Sequence, residues 1–179
     1  MISALDDFLS ELLVQLQSNR FADLAGTRVS ARVPVSRALL NQFVARAIQA
    51  RQPPLPVRQI DLRPTDGDRI DALVTVTLPF VPPLKVGVFI ERQPAFPSSP
   101  VLVLRWSLLG GLGQVVSRIV GPHQKLPPGV RLDGDRILVD IPQAAAATPA
   151  AQFIGYLRGL ELHTAGERLM LAVDLEVPS

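Results

Sequence analysis

The sequence contains no cysteine. That excludes a disulfide framework, a thiolate nucleophile and any cysteine-based metal site, and it leaves the redox compartment open. Lysine is almost missing as well. Lys85 and Lys125 are the only two, so nearly all positive charge sits on guanidinium groups, which suit bidentate contacts to phosphate. Histidine occurs only as His123 and His163, too few for a multi-histidine metal centre, and no nucleophile motif accompanies either. With one tryptophan, one tyrosine and seven phenylalanines, the interior must be aliphatic. No window reaches the roughly 18 consecutive apolar residues of a membrane-spanning helix. Asp6 and Asp7 stand where a signal peptide would carry positive charge. The chain as it stands is expected in the cytoplasm, and exported if the natural chain begins upstream of Met1.

What is present is apolar. Hydrophobic residues make up 47% of the 179 and charged residues 19%, with a mean hydropathy of +0.27. A chain of this length can bury a core as one domain, and surface beyond that must enter a groove or meet a partner. The net charge of +2 hides an uneven layout. Between Arg20 and Arg58 stand Arg20, Arg28, Arg32, Arg37, Arg46, Arg51 and Arg58, against Asp23 alone.

One unit organises the chain: a helix followed by a hairpin. Ser36 to Ala50 has Leu39, Leu40, Phe43, Val44, Ala47 and Ile48 at helical spacing, with Ser36 as the cap. A strand from Val57 to Leu62, the turn Asp66-Gly67-Asp68 and a strand from Arg69 to Leu78 follow. The order returns near the end, with a helix over Thr148 to Arg158, strands Leu160 to His163 and Leu169 to Val177, and Gly166-Glu167-Arg168 between them. Ile60-Asp61-Leu62 aligns with Leu160-Glu161-Leu162, and the turns align at the cost of one gap. Asp66-Gly67-Asp68-Arg69-Ile70 also recurs letter for letter as Asp133-Gly134-Asp135-Arg136-Ile137.

Elsewhere, residues 1–20 read as an amphipathic helix with Leu5, Phe8, Leu9, Leu12, Leu13 and Leu16 on one face. Its acidic polar side favours packing on the body, 27–177, over a membrane surface. Thr27 to Val35 alternates as a half-buried strand with Arg28, Ser30 and Arg32 outward. Leu84, Val86, Val88 and Ile90 share one strand face, and Val101 to Leu104 is apolar on both. Ser107 to Val120 has helical spacing, Val130 to Ile141 reads as a hairpin, and Gln143 to Pro149 as alanine-rich linker or a frayed helix start. The sum is a single α+β domain: a curved antiparallel sheet of about seven to nine strands, joined mostly as hairpins, packed around one or two helices.

No chemistry stands out. Asp66-x-Asp68 and Asp133-x-Asp135 open like calcium loops but lack the later oxygen ligands and closing glutamate, so they read as tight turns. Gly110-Gly111-Leu112-Gly113 matches neither nucleotide-binding spacing. No catalytic pair, metal or cofactor is expected, and the chain reads as a non-enzyme. The apolar strand faces remain. Val74, Val76, Leu78, Val86, Val88, Ile90, Leu102, Leu104 and Trp106 could line a groove beneath the helix bearing Leu39 and Phe43. Such a groove would hold an acyl chain at about 0.8 kcal/mol per buried methylene. Arg28, Arg32 and Arg37 could meet a phosphate head group at its mouth.

Val35-Ser36-Arg37-Ala38-Leu39-Leu40-Asn41 in a helix before long alternating strands, and Leu126-Pro127-Pro128-Gly129-Val130 leading into a strand, resemble the LmeA-type phospholipid-binding family. That family is similar to half of a TULIP (tubular lipid-binding) domain. The resemblance covers Arg28 to Val177 and implies a curved sheet wrapped round a helix with an apolar groove between. The expected partner is accordingly a lipid or other elongated apolar molecule, with an anionic membrane surface suited to the same arginines. The alternative is an interaction or assembly module, such as a homodimer, whose apolar faces meet protein. Nucleic acid is not expected, because the arginines are not interleaved with exposed aromatics.

Overall fold

Alternation of apolar and polar residues dominates the chain, and a computed structural model turns it into strands. The structure describes residues 25–49, 57–77, 80–109, 126–146 and 148–178. In chain order the elements are β1 (Arg28–Ser36), α1 (Arg37–Gln49), β2 (Val57–Thr65), β3 (Arg69–Val76), β4 (Leu84–Arg92) and β5 (Val101–Leu109). There follow β6 (Val130–Asp133), β7 (Arg136–Asp140), α2 (Ile141–Ala145), a 3-10 helix (Pro149–Tyr156), β8 (Leu157–Ala165) and β9 (Arg168–Glu176). Residues 1–20, Leu78, His123 and most of the helix expected over Ser107 to Val120 lie outside the described residues.

The fold is α+β with every strand pair antiparallel, as the patterning implied. The strands divide, however, between two open sheets, β1-β9-β8 and β2-β3-β4-β5-β7-β6, where one was expected. The cause is a pairing between chain ends. β1 pairs with β9 along its whole length, from Arg28 opposite Glu176 to Ser36 opposite Arg168. Bonds from Gly26 N–H to the Val177 carbonyl (2.8 Å) and from Val177 N–H to that of Thr27 (3.0 Å) extend the ladder. Alternation fixes which face of a strand is buried but not which strand lies beside it.

Three local expectations change. Ser107, Leu108 and Leu109 continue β5 and do not open a helix. The helix expected over Thr148 to Arg158 is a 3-10 helix. Thr148 does cap it, its hydroxyl accepting from Ala150 N–H at 3.2 Å, but Leu157 and Arg158 already belong to β8. Ile141, expected to end a strand, instead opens α2, which runs into the expected linker or frayed helix start and is capped by the Asp140 carboxylate through Gln143 N–H at 3.0 Å. Gly129, from the Leu-Pro-Pro-Gly-Val stretch, sits beside that cap at φ +78°. A Cβ there would stand 2.6 Å from Ala144 N and 2.7 Å from the Asp140 carbonyl, so a side chain is excluded.

α1 starts where Ser36 Oγ accepts from Leu39 N–H at 3.3 Å. It rests on β2 and more lightly on β1, half-burying Leu40, Asn41, Val44 and Ile48. Asn41 fixes the docking. Its amide donates to the Leu62 carbonyl (3.0 Å) and accepts from Leu62 N–H (2.7 Å), as a neighbouring strand would. The Asp61 carboxylate takes Arg37 at 2.8 Å and Asn41 at 3.0 Å.

The two sheets meet where the β2–β3 turn touches β8. Asp68 Oδ1 accepts from Thr164 N–H (3.0 Å), Thr164 Oγ1 from Arg69 N–H (3.2 Å), and Asp66 Oδ1 from Gly166 N–H (2.8 Å). Gln93 clasps Leu162 as Asn41 clasps Leu62, donating to its carbonyl (2.6 Å) and accepting from its N–H (3.0 Å). Thr164 is 8% exposed, so these bonds lie in a region where an unpaired polar group would cost stability.

Candidate apolar binding face

Strand register gathers many of the apolar residues of the large sheet onto one face. Ile70 lies opposite Val88, and Val88 opposite Trp106. Ala72 lies opposite Val86, and Val86 opposite Leu108. Up to the irregularity between Ile90 and Arg92, Ile90 faces Leu104, Leu104 faces Ile137, and Ile137 faces Leu132. Residues opposite each other in antiparallel strands project to the same side. The expected groove residues Val74, Val76, Val86, Val88, Ile90, Leu102, Leu104 and Trp106 therefore share one face, while Leu78 lies outside the described residues.

Burial divides this face. Val76 (6% exposed) and Leu84 (3%) are core, with Val57, Val74 and Val81 packed against them, and Leu102 (6%) is buried too. Val86, Val88, Ile90, Leu104, Trp106 and Leu108 are only half-buried, although β4 and β5 are the middle strands. The helix is placed differently from the expectation. α1 lies on β2, and Leu39 and Phe43 turn away from it, 41% and 56% exposed. The apolar stripe of α1 is wider than the strip β2 can cover, so its packed half is Leu40, Val44 and Ile48.

Within the half-buried stretch one polar atom stands out. Trp106 Nε1 is buried and has no hydrogen-bond partner among the described residues. By register Trp106 has Val88 across the ladder and Leu104 and Leu108 along its own strand, and on its other side its backbone N–H donates to the Asp135 carbonyl at 2.8 Å.

The reverse side of the large sheet carries several charged pairs. Arg69 and Arg105 lie over the Phe89 ring at 5.3 and 5.9 Å, Arg69 pairs with Asp71 at 2.7 Å, and Arg136 with Glu91 at 2.7 Å. The hydrogen bond and charge of Glu91 raise the Arg136 pKa above its ordinary value. The reverse face is thus mixed, with these ion pairs beside the apolar Phe89 and the buried Val103 (4% exposed), which lies opposite Leu138.

The arginines expected at a head group separate. Arg37 is tied to Asp61 at the α1–β2 contact. Arg28 and Arg32 project from β1 on the side of the small sheet opposite Val29 and Val33. Arg32 lines a shallow pocket of about 270 Å³ with Glu161, His163, Met170, Leu171 and Ala172. His163 stands between Asp68 (3.3 Å) and Glu161 (3.6 Å). No group of three or more metal-ligating side chains able to hold an ion occurs among the described residues. No described helix is long and apolar enough to cross a membrane.

Ile70, Leu108, Ile137 and Val139 belong to the apolar face but were not named for it from sequence. Ile70 and Val139 had the right alternation. Leu108 was hidden by helical spacing that continues beyond β5. Ile137 and Val139 become neighbours of Leu104 and Leu102 only because β7, not β6, pairs with β5. Compared with protein-family models, curated proteins and solved structures, the chain matches none.

Proposed function

We propose that the protein binds a lipid or similarly elongated apolar molecule on the aliphatic face of the six-stranded sheet, without chemical conversion. The supporting observation is that Val86, Val88, Ile90, Leu104 and Trp106 are incompletely buried on the two middle strands. Middle strands of a sheet that serves only as a core wall lose their apolar side chains to the interior. A flexible chain laid along this face would gain about 0.8 kcal/mol for each methylene removed from water. The proposal rests on this face and not on the family resemblance.

Native mass spectrometry of the protein purified from cells, with analysis of released small molecules, tests it. The expected result is a mass excess carried by a long-chain compound, rebound after extraction. A ligand-free spectrum together with failure of the extracted protein to take up long-chain amphiphiles would overturn it.

A second reading has its own observation. Val29 (50% exposed), Val33 (46%), Leu39 (41%) and Phe43 (56%) are open apolar side chains on β1 and α1, consecutive in the chain. An assembly surface would use them. Sedimentation separates the two, since a concentration-dependent dimer with no bound lipid favours assembly.

A further inference from the structure

The small sheet has an apolar face of its own, open along one edge. Val29, Ala31 and Val33 of β1 lie opposite Leu175, Val173 and Leu171 of β9, so all six project to one side. Leu160 and Leu162 of β8 continue that side, opposite Val173 and Leu171. The β9 residues are half-buried, whereas Val29 (50%), Val33 (46%) and Ala31 are exposed. Next in the chain, α1 turns out Leu39 and Phe43, with the exposed Arg46 three residues further along the same stripe.

We infer that residues 3–18 of this same chain cover the open face as a helix laid against β1 and β9. Leu5, Phe8, Leu9, Leu12, Leu13 and Leu16 form one helical stripe, and a stripe that wide needs an apolar neighbour. The dimensions match. A helix over 3–18 is about 24 Å long and about 10 Å wide. A strand the length of β1 runs about 30 Å, and three strands span about 10 Å across. One helix therefore covers this sheet. The path is short as well. Asn19 to Leu24 reach at most about 20 Å, and they lead into a turn at Ala25 and Gly26, with Gly26 at φ +78°, directly before β1. Charge decides between this segment and a second copy. Residues 1–18 carry Asp6, Asp7 and Glu11 and no base, while β1 and α1 carry Arg28, Arg32, Arg37 and Arg46 and no acid. The segment brings opposite charge to the face, whereas a two-fold dimer through it would bring arginines to arginines. The inference concerns the small sheet and stands apart from any ligand on the large one.

The absence of cysteine makes an introduced thiol a clean probe. Ala31→Cys places one on the open face, and Arg32→Cys places one on the opposite side of the same strand. In the chain of residues 1–179, adding Leu9→Asp and Leu13→Asp should speed maleimide labelling of Ala31→Cys about fivefold or more and leave that of Arg32→Cys within about twofold. A short bis-maleimide should join Leu9→Cys to Ala31→Cys within one chain, at a rate independent of protein concentration, and should not join Leu9→Cys to Arg32→Cys. Labelling of Ala31→Cys that ignores the two aspartates, or the lack of an intrachain link, would overturn the inference. A link that forms between chains and grows with concentration would overturn it in favour of a second copy. The cross-link decides even if the aspartates disturb folding, since it uses neither.

Discussion

The β2–β3 hairpin has two counterparts, one alike in letters and one alike in surroundings. The β6–β7 hairpin repeats its turn as Asp133-Gly134-Asp135-Arg136-Ile137, yet the two turns differ. Thr65 pairs with Arg69 across a three-residue loop, whereas Asp133 pairs with Arg136 across two. On the outer side both behave alike, with the Asp68 carbonyl accepting from Ile90 N–H at 2.9 Å and the Asp135 carbonyl from Trp106 N–H at 2.8 Å. The difference follows from what the carboxylates reach. Asp66 and Asp68 hold N–H groups of the β8–β9 hairpin, and Gly67 and Asp68 take positive φ (+81° and +56°) to present them. Asp133 and Asp135 are exposed and act on Arg136 by charge. Five identical residues thus form two turns because tertiary partners outweigh a local preference worth less than their hydrogen bonds.

The β8–β9 hairpin differs in letters and repeats the edge. Leu62 and Leu162 stand at aligned positions, and each has its outward N–H and carbonyl clasped by a side-chain amide, from Asn41 and Gln93 respectively. Two residues on, Pro64 has no N–H to place, whereas Thr164 gives its own to Asp68. The gap needed in the alignment is the third loop residue of the β2–β3 turn.

The sharpest way to break the comparison is to make the same change in both copies of the pentapeptide. Asp68→Ala strands a buried N–H at Thr164 and should cost about 2 kcal/mol in urea unfolding. Asp135→Ala should stay within about 0.5 kcal/mol. Equal effects would mean that the carboxylate contacts do not decide the turn. Next come the two clasps. Asn41→Ala and Gln93→Ala should each cost about 1–2 kcal/mol. Amide exchange should quicken at Leu62 in the first and at Leu162 in the second, and crossed effects would show that the hairpins open as one unit. The smallest effects belong to ion pairs. Arg37→Gln, at a half-exposed pair beside Asn41, should cost about 0.5–1 kcal/mol. Arg63→Gln breaks a more open pair with Glu167, and its cost of about 0.2–0.5 kcal/mol should vanish in high salt.

Much of this was written in the residues taken one strand at a time. Alternation in Ile70 to Val76, Leu84 to Ile90 and Leu102 to Trp106 gave the strands and the side each residue faces, which is why the expected groove residues on described strands fall on one face. Ser36 and Thr148 marked helix starts through cap chemistry that is local by nature. Partnership was not legible. That β1 would leave for β9 depends on chain ends 130 or more residues apart, and no local pattern encodes it. Helical spacing at Leu39 and Phe43 was right about the helix and silent about which half of its stripe would find a neighbour. The unpaired state of Trp106 Nε1 was likewise invisible, since it depends on acceptors that three strands do not bring.

The clasped and proline-bearing strands have a consequence for growth. Two open sheets leave four outer strands, and an unpaired outer strand is a template for polymerisation. Here β2 is blocked by Asn41 and interrupted by Pro64, and β8 is held by Gln93 and Asp68. β6 is four residues long with Arg131 and Asp133 on it, and β1 carries Arg28, Arg32 and Pro34. Each of these four edges among the described residues is thereby a poor template for adding another strand.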